Sequence, residues 1–163
     1  MKRSQIDAAI EAALELADQH RIALPPMTRW TRAEWVSAAA DLRPTLDRGI
    51  GWDVTDFGSA DFDRIGLTLF TYRNGTLAEQ ASGRGQTYAE KLMVASDGQG
   101  NPFHYHRTKT EDIINQGGGE MLVELFDGEA PEAPVSTFVS GILTDVQPRT
   151  AVRLRPGDSI QVP

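Results

Sequence analysis

Along residues 4–20 the apolar positions Ile6, Ile10, Ala13, Leu14 and Ala17 recur every three or four residues between charged ones. That spacing predicts an amphipathic helix with Ser4 as its N-cap. Leu24-Pro25-Pro26 then stops any helix, since proline lacks the N–H that the helical ladder needs. In "TRAEWVSAAADLRP" Glu34 follows Thr31 by three residues, a capping box that opens a second helix, which Pro44 closes. Beyond about residue 46 the helical period disappears. The run Ile65–Tyr72 is rich in β-branched and aromatic residues and precedes Asn74-Gly75, which predicts a strand and a tight turn. Short β-like runs follow at 86–95, 101–107, 121–126, 136–146 and 151–163. Regular short strands between turn signals predict a mainly β sandwich or barrel. The chain therefore divides into an N-terminal helical extension over 1–45 and a β domain over 46–163. It has no internal repeat.

Composition narrows the chemistry. A chain of 163 residues is long enough for one domain with a substantial core. Sixteen basic against 23 acidic side chains give a net charge of −7, which disfavours a phosphate-backbone binder and predicts no nucleic-acid partner. Without cysteine, disulfides and thiolate metal sites are both excluded, so any metal must sit on imidazole and oxygen ligands. Acidic residues interrupt every early apolar run, unlike a signal peptide or a membrane span. The sequence reads as cytoplasmic, with no membrane partner.

Two of the three histidines, His104 and His106, stand one residue apart in "PFHYHRTKTEDIINQGGG". Residues two apart on a strand share a face, whereas on a helix they diverge. If 101–107 is extended, as Pro102, Phe103 and Tyr105 suggest, both imidazoles aim at one point. Glu111, five residues after His106, is near enough to return to that point through a short turn. Two imidazoles and a carboxylate make a facial ligand set with positions left for water or substrate. On spacing alone, a surface strand with solvated histidines accounts for the pair equally well.

The wider pattern, Gly98-x5-His104-x-His106-x4-Glu111-x6-Gly118, matches every fixed position of the first cupin motif. The segment resembles the cupin superfamily, whose double-stranded β-helix barrels hold a divalent metal. The second cupin motif, G-x5-P-x-G-x2-H, is represented by Gly157-x5-Pro163, and its histidine would lie five positions beyond Pro163. The resemblance therefore leads us to expect a barrel that is incomplete at its C-terminus. Either a separate C-terminal fragment would then complete it, or the chain is a short cupin with a weakened three-ligand site; His20 on an N-terminal helix is a poor substitute for the missing ligand.

Longer strings carry a closer resemblance. "KTEDIINQGGG", "GWDVTDFGSADFDRIGLTLFTYRNG" and "YAEKLMVASDGQGNPFHYH" are similar to the D-lyxose isomerase family over nearly all of the chain from about residue 25. Gln116 departs from that pattern, where an arginine is expected before the three glycines. The resemblance implies an aldose–ketose isomerase converting D-lyxose to D-xylulose, and also D-mannose to D-fructose, by metal-assisted proton transfer through an enediolate. It further implies Mn²⁺ as cofactor on His104, His106 and Glu111, a sugar as substrate, and a homodimer. Such a reaction needs a base beside the C1–C2 edge of the sugar. Lys109, in the turn between the ligands, is the first candidate. Lys91 is the second: it shares a strand face with Thr87, Ala89 and Met93, where an inward cation needs a functional reason. Either lysine is otherwise a solvated surface cation.

Other features carry less. Glu90, on the opposite strand face from Lys91, reads as a surface acid, and Gln99 as either a sugar contact or a turn residue. Gly117-Gly118-Gly119 lacks the Lys-Ser/Thr of a phosphate loop and reads as a tight connection. Trp30, Trp35 and Trp52 read as packing residues. "DGEAPEAP" (127–134) reads as a solvated loop. The alternatives to the isomerase are a sugar-phosphate isomerase, which wants a basic cluster for phosphate, an iron dioxygenase, which consumes oxygen, and a sugar-binding cupin without turnover.

Overall fold

The computed structural model describes residues 1–38, 41–107 and 109–163, and these form two compact units, Met1–Pro102 and Phe103–Pro163. The first unit begins with α1 (Arg3–Gln19), α2 (Arg32–Ala38) and α3 (Arg43–Asp47). In α1 the predicted stripe is the buried one, with Ala13 and Ala17 almost fully enclosed where the helix packs on the sheet. The helix starts two residues earlier than an N-cap at Ser4 implies, with Lys2 as the cap, and the Lys2 backbone N–H donates to Gln5 Oε1 at 2.8 Å. The capping box at α2 is present: Thr31 N–H donates to Glu34 Oε2 at 2.6 Å and Glu34 N–H to Thr31 Oγ1 at 3.3 Å. Pro44 opens α3 where the sequence reading has it closing α2. Its missing N–H costs nothing in a first turn, where that donor has no helical acceptor.

The unit's sheet is β1 (Gly51–Thr55), β2 (Leu67–Asn74) and β3 (Ala89–Val94), in the order β1-β2-β3 and antiparallel throughout. Trp52 lies opposite Phe70 in register, and Phe70 is fully buried. Its ring meets Trp52 edge-on at 5.2 Å and Tyr72 at 5.3 Å. Trp52 Nε1 donates to the Thr28 carbonyl at 2.9 Å, so the indole buries its body without orphaning its N–H. Trp30 and Trp35 also meet edge-on at 5.3 Å. Asn74-Gly75 leads into a capped helix, α4 (Leu77–Ser82), where a hairpin turn is expected. The unread signal is Thr76-x-x-Glu79, a second capping box. Gly75 is needed here because a Cβ would stand 1.9 Å from the Gln86 carbonyl oxygen.

The second unit contains β4 (Glu111–Ile114), β5 (Met121–Val123), β6 (Val135–Val139), β7 (Ile142–Val146), β8 (Val152–Leu154) and β9 (Ser159–Val162). Its sheets are β4-β9-β6-β7 and β5-β8. Leu125, Val146, Leu154 and Ile160 form one core to which both sheets contribute, with Ile113, Met121, Val123 and Val152 packed against it. Burying each such aliphatic side chain contributes about 1.5–3 kcal/mol. The predicted run 136–146 is a hairpin: Ser140 and Gly141 both take positive φ, 48° and 80°, the two-residue turn whose twist suits paired strands.

Strands prevail, every named strand pair is antiparallel, and the longest helix stands at the N-terminal end. This is the mainly β class that the sequence predicts, and the pairings are consistent with a cupin barrel although they close no ring among the described residues.

Candidate metal centre

Glu111 opens β4, and its place in that strand fixes its aim. Glu111 and Ile113 take the partly buried face while Asp112 and Ile114 are exposed. Ile113 lies opposite buried Ile160, and Glu111 opposite Val162. A one-residue slip would turn the carboxylate outward and expose Ile113, so the hydrophobic register of β4 on β9 holds Glu111 in place.

The segment bearing the histidines differs from expectation. Residues 101–107 belong to no strand, and Phe103 and Tyr105 are both 73% exposed. An extended sequence becomes a strand only where a neighbour completes its hydrogen-bond ladder, and none does so among the described residues. The segment is held by side chains instead. Phe103 meets Phe126 edge-on at 5.1 Å, and the Arg107 guanidinium lies 5.6 Å from the Tyr105 ring centre.

The ligand atoms converge all the same. One ligand atom each from His104, His106 and Glu111 lies within 4.8 Å of the others. The two imidazoles stand 5.0 Å apart at 77°. His106 Nε2 is 3.2 Å from Glu111 Oε2, yet it is buried without a hydrogen-bond partner among the described residues. A buried ring nitrogen without a hydrogen-bond partner carries a desolvation cost. It is what a shared cation removes. Two donors each about 2.1 Å from an octahedral ion stand about 3 Å apart. The donor set of two imidazoles and a carboxylate, without sulfur, suits a divalent ion.

Burial pushes the Glu111 carboxyl up, but the hydrogen-bonded Lys109 ammonium, and then the His106 ring, outweigh it and leave the group below the ordinary carboxylate range. The cluster therefore presents an anion at neutral pH. Lys109 is thus inside the cluster, bonded to Glu111 Oε1. Lys91 belongs to the first unit. It is exposed, on the β3 face of Ala89 and Met93, directly opposite buried Thr71. Gln99 is a turn residue: its amide donates to the Phe62 carbonyl at 2.5 Å and accepts from Ser96 N–H at 3.0 Å. Gln116 is exposed, as is Glu90, paired with Arg73 across the β2–β3 ladder.

One supporting residue escaped the sequence reading. Asn115, 4% exposed, follows β4 directly. Its Nδ2 donates to the carbonyls of Gly119 and Leu154, both at 2.9 Å, and its Oδ1 accepts from Gly117 N–H at 3.1 Å. Its backbone carbonyl takes Gly157 N–H at 2.7 Å. Asn115 thereby fixes the triple-glycine connection, where Gly118 has φ 88°, and ties the end of β4 to the turn before β9. Only the small polar side chain itself hinted at this.

Comparison with known proteins places the whole chain. The family model described as D-lyxose isomerase matches residues 1–163. A "D-lyxose/D-mannose isomerase" of Escherichia coli O157:H7 is 39% identical over 168 residues, covering 100% of this chain and 73% of the relative. A protein of the same name from Serratia proteamaculans is 37% identical over 167 residues, covering 98% of this chain and 72% of the relative.

Proposed function

The chain belongs to the D-lyxose isomerase family, and we propose that this aldose–ketose isomerase interconverts D-lyxose with D-xylulose, and D-mannose with D-fructose, at a metal centre made by His104, His106 and Glu111. The observation that carries the metal reading is the buried His106 Nε2 facing Glu111 Oε2 without a hydrogen bond. Mn²⁺ is the ion we assign, and when bound it supplies Lewis-acid stabilisation of charge developing beside the sugar carbonyl.

The chain's own residues do the rest. His104, His106 and Glu111 hold the ion. A lysine, Lys109 or Lys91, takes the proton from C2 of the aldose and returns it to C1 while the O2 hydroxyl proton passes to O1, leaving the ketose with no net change in atoms or electrons. Lys109 is the first candidate because it already reaches Glu111.

The same proposal includes a cytoplasmic homodimer and a barrel domain over 46–163 behind a helical extension over 1–45. Among the described residues, no helix is long and apolar enough to cross a membrane.

The test is chelation, assay of D-xylulose formation from D-lyxose, then restoration with Mn²⁺, in D₂O so that deuterium entering the ketose at C1 reports the proton transfer. Loss and recovery of activity with deuterium at C1 is the expected result. Undiminished turnover after complete metal removal would sink the metal centre. A metal-restored protein that leaves D-lyxose unchanged would sink the isomerase.

A further inference from the structure

We infer that Lys109, beyond any part in the proton transfer, sets how Glu111 meets its ion, allowing one carboxylate oxygen to bind and withholding the other, and that this biases the centre against larger cations such as Ca²⁺. The inference rests on the metal-centre reading above and adds a selectivity device to it.

The two oxygens of Glu111 have different partners. Oε1 accepts a hydrogen bond from Lys109 Nζ, while Oε2 faces His106 Nε2 at 3.2 Å. The division follows from local structure. Lys109 stands two positions before Glu111, which opens β4, and its Nζ reaches Oε1. The Lys109 side chain is 42% exposed and that of Glu111 33%, so the lysine approaches Oε1 from the more exposed side while Oε2 stays with the imidazole.

An ammonium hydrogen-bonded to Oε1 competes for the lone pairs that a bidentate carboxylate would give to an ion. Small octahedral ions lose little by this, because they bind near 2.1 Å and take one oxygen per carboxylate readily. Ca²⁺ loses more. It prefers six to eight oxygens at roughly 2.3–2.6 Å and commonly uses both oxygens of a carboxylate. With two imidazoles among the three ligands, the second Glu111 oxygen is the cheapest extra oxygen that this cluster could offer it.

The experiment measures binding, independently of turnover. Mn²⁺ is titrated into the chelated protein and its free hexaaqua form followed by electron paramagnetic resonance, and Ca²⁺ is then used as competitor. Wild type, Lys109→Met, Lys109→Arg and His106→Ala are compared, with circular dichroism confirming that each is folded. Lys109→Met should lower the preference for Mn²⁺ over Ca²⁺ by about tenfold, the low end of what partners around a metal's own ligands contribute. Lys109→Arg, which can still donate to Oε1, should keep the wild-type ratio. An unchanged ratio in Lys109→Met, alongside His106-dependent Mn²⁺ binding in wild type, overturns this inference alone. Equal Mn²⁺ binding by wild type and His106→Ala overturns the metal centre, and the inference with it.

Discussion

Among the glutamates whose carboxyls are held below the ordinary range, Glu79 in the first unit and Glu111 in the second show by their contrast what separates scaffold from site. Glu79 is saturated. Arg48 clasps both of its oxygens, Nη1 to Oε2 at 2.9 Å and Nη2 to Oε1 at 3.0 Å. Thr76 N–H adds a bond to Oε2 at 2.9 Å, and Gln86 N–H one to Oε1 at 3.3 Å. Asn74 Nδ2 returns a bond to the Arg48 carbonyl at 2.8 Å, tying the end of α3 to β2 and α4. No lone pair is left for an ion. Glu111 has one oxygen on Lys109, and the other faces an imidazole nitrogen with no hydrogen bond between them. A depressed carboxyl alone does not mark function, since structural ion pairs depress it too. Unspent acceptor capacity beside an unpaired nitrogen is the better sign.

Exchanging the carboxylate for an amide should separate the two most sharply. Glu111→Gln removes the anion among the three proposed ligands, so Mn²⁺ retention should fall by more than about 100-fold, beyond what the loss of a supporting partner costs, while circular dichroism shows an intact fold. Glu79→Gln should do the reverse, lowering the melting temperature and leaving metal affinity within about twofold of wild type, since no ion is held there. Equal metal losses in both variants would erase the distinction.

The next effect tests what supports Glu111. Asn115→Ala orphans the buried Leu154 carbonyl and removes the part-buried bonds to the Gly119 carbonyl and the Gly117 N–H. An unsatisfied buried group costs about 1–3 kcal/mol, so a loss of about 2–4 kcal/mol in chemical denaturation is expected. Metal affinity should weaken as well, because the connection after β4 loosens. A variant as stable as wild type would show that water replaces the amide there.

What was legible in the sequence follows the same division between local and distant causes. The α1 stripe and the Thr31 capping box are local periodic signals, and they are present. The convergence of His104, His106 and Glu111 was legible from their closeness in sequence together with the resemblance to a metal-binding motif, since spacing alone fitted solvated histidines equally well. The strand expected at 101–107 was not realised, since its ladder depends on a neighbour that the segment's own residues cannot specify. Pro44 misled because proline suits the start of one helix as well as the end of another. Asn115 was illegible because one of its partners, Leu154, lies 39 residues away.

Acid should reveal Glu79 through stability. The Arg48 hydrogen bond, then the Thr76 and Gln86 N–H groups, lower its folded pKa. A depressed carboxyl contributes stability above its unfolded value, about 4.3, and that contribution is lost as pH falls through the folded value. The melting-temperature advantage of wild type over Glu79→Gln should therefore be full near pH 7 and shrink steadily below about pH 4.3. An advantage that persists undiminished to pH 2 would mean that the ion pair is not its source.

The smallest effect belongs to a third glutamate, which shows what an ion pair does without either burial or saturation. Glu90 pairs with Arg73 across the β2–β3 ladder, where the register slips by one residue between Thr71 and Arg73. Their side chains are 51% and 53% exposed, against 23% and 32% for Glu79 and Arg48. In water the Coulomb gain is small, and holding two long side chains together costs rotamer entropy that offsets much of it. Glu90→Gln should therefore change unfolding free energy by less than about 0.5 kcal/mol, with metal retention unaltered, and 1 M salt should abolish even that difference. A loss well above 1 kcal/mol would show that cross-strand pairing, and not saturation by a guanidinium fork and backbone donors, is what makes a carboxylate structural in this chain. The contrast between Glu79 and Glu111 would then have to be redrawn around strand position.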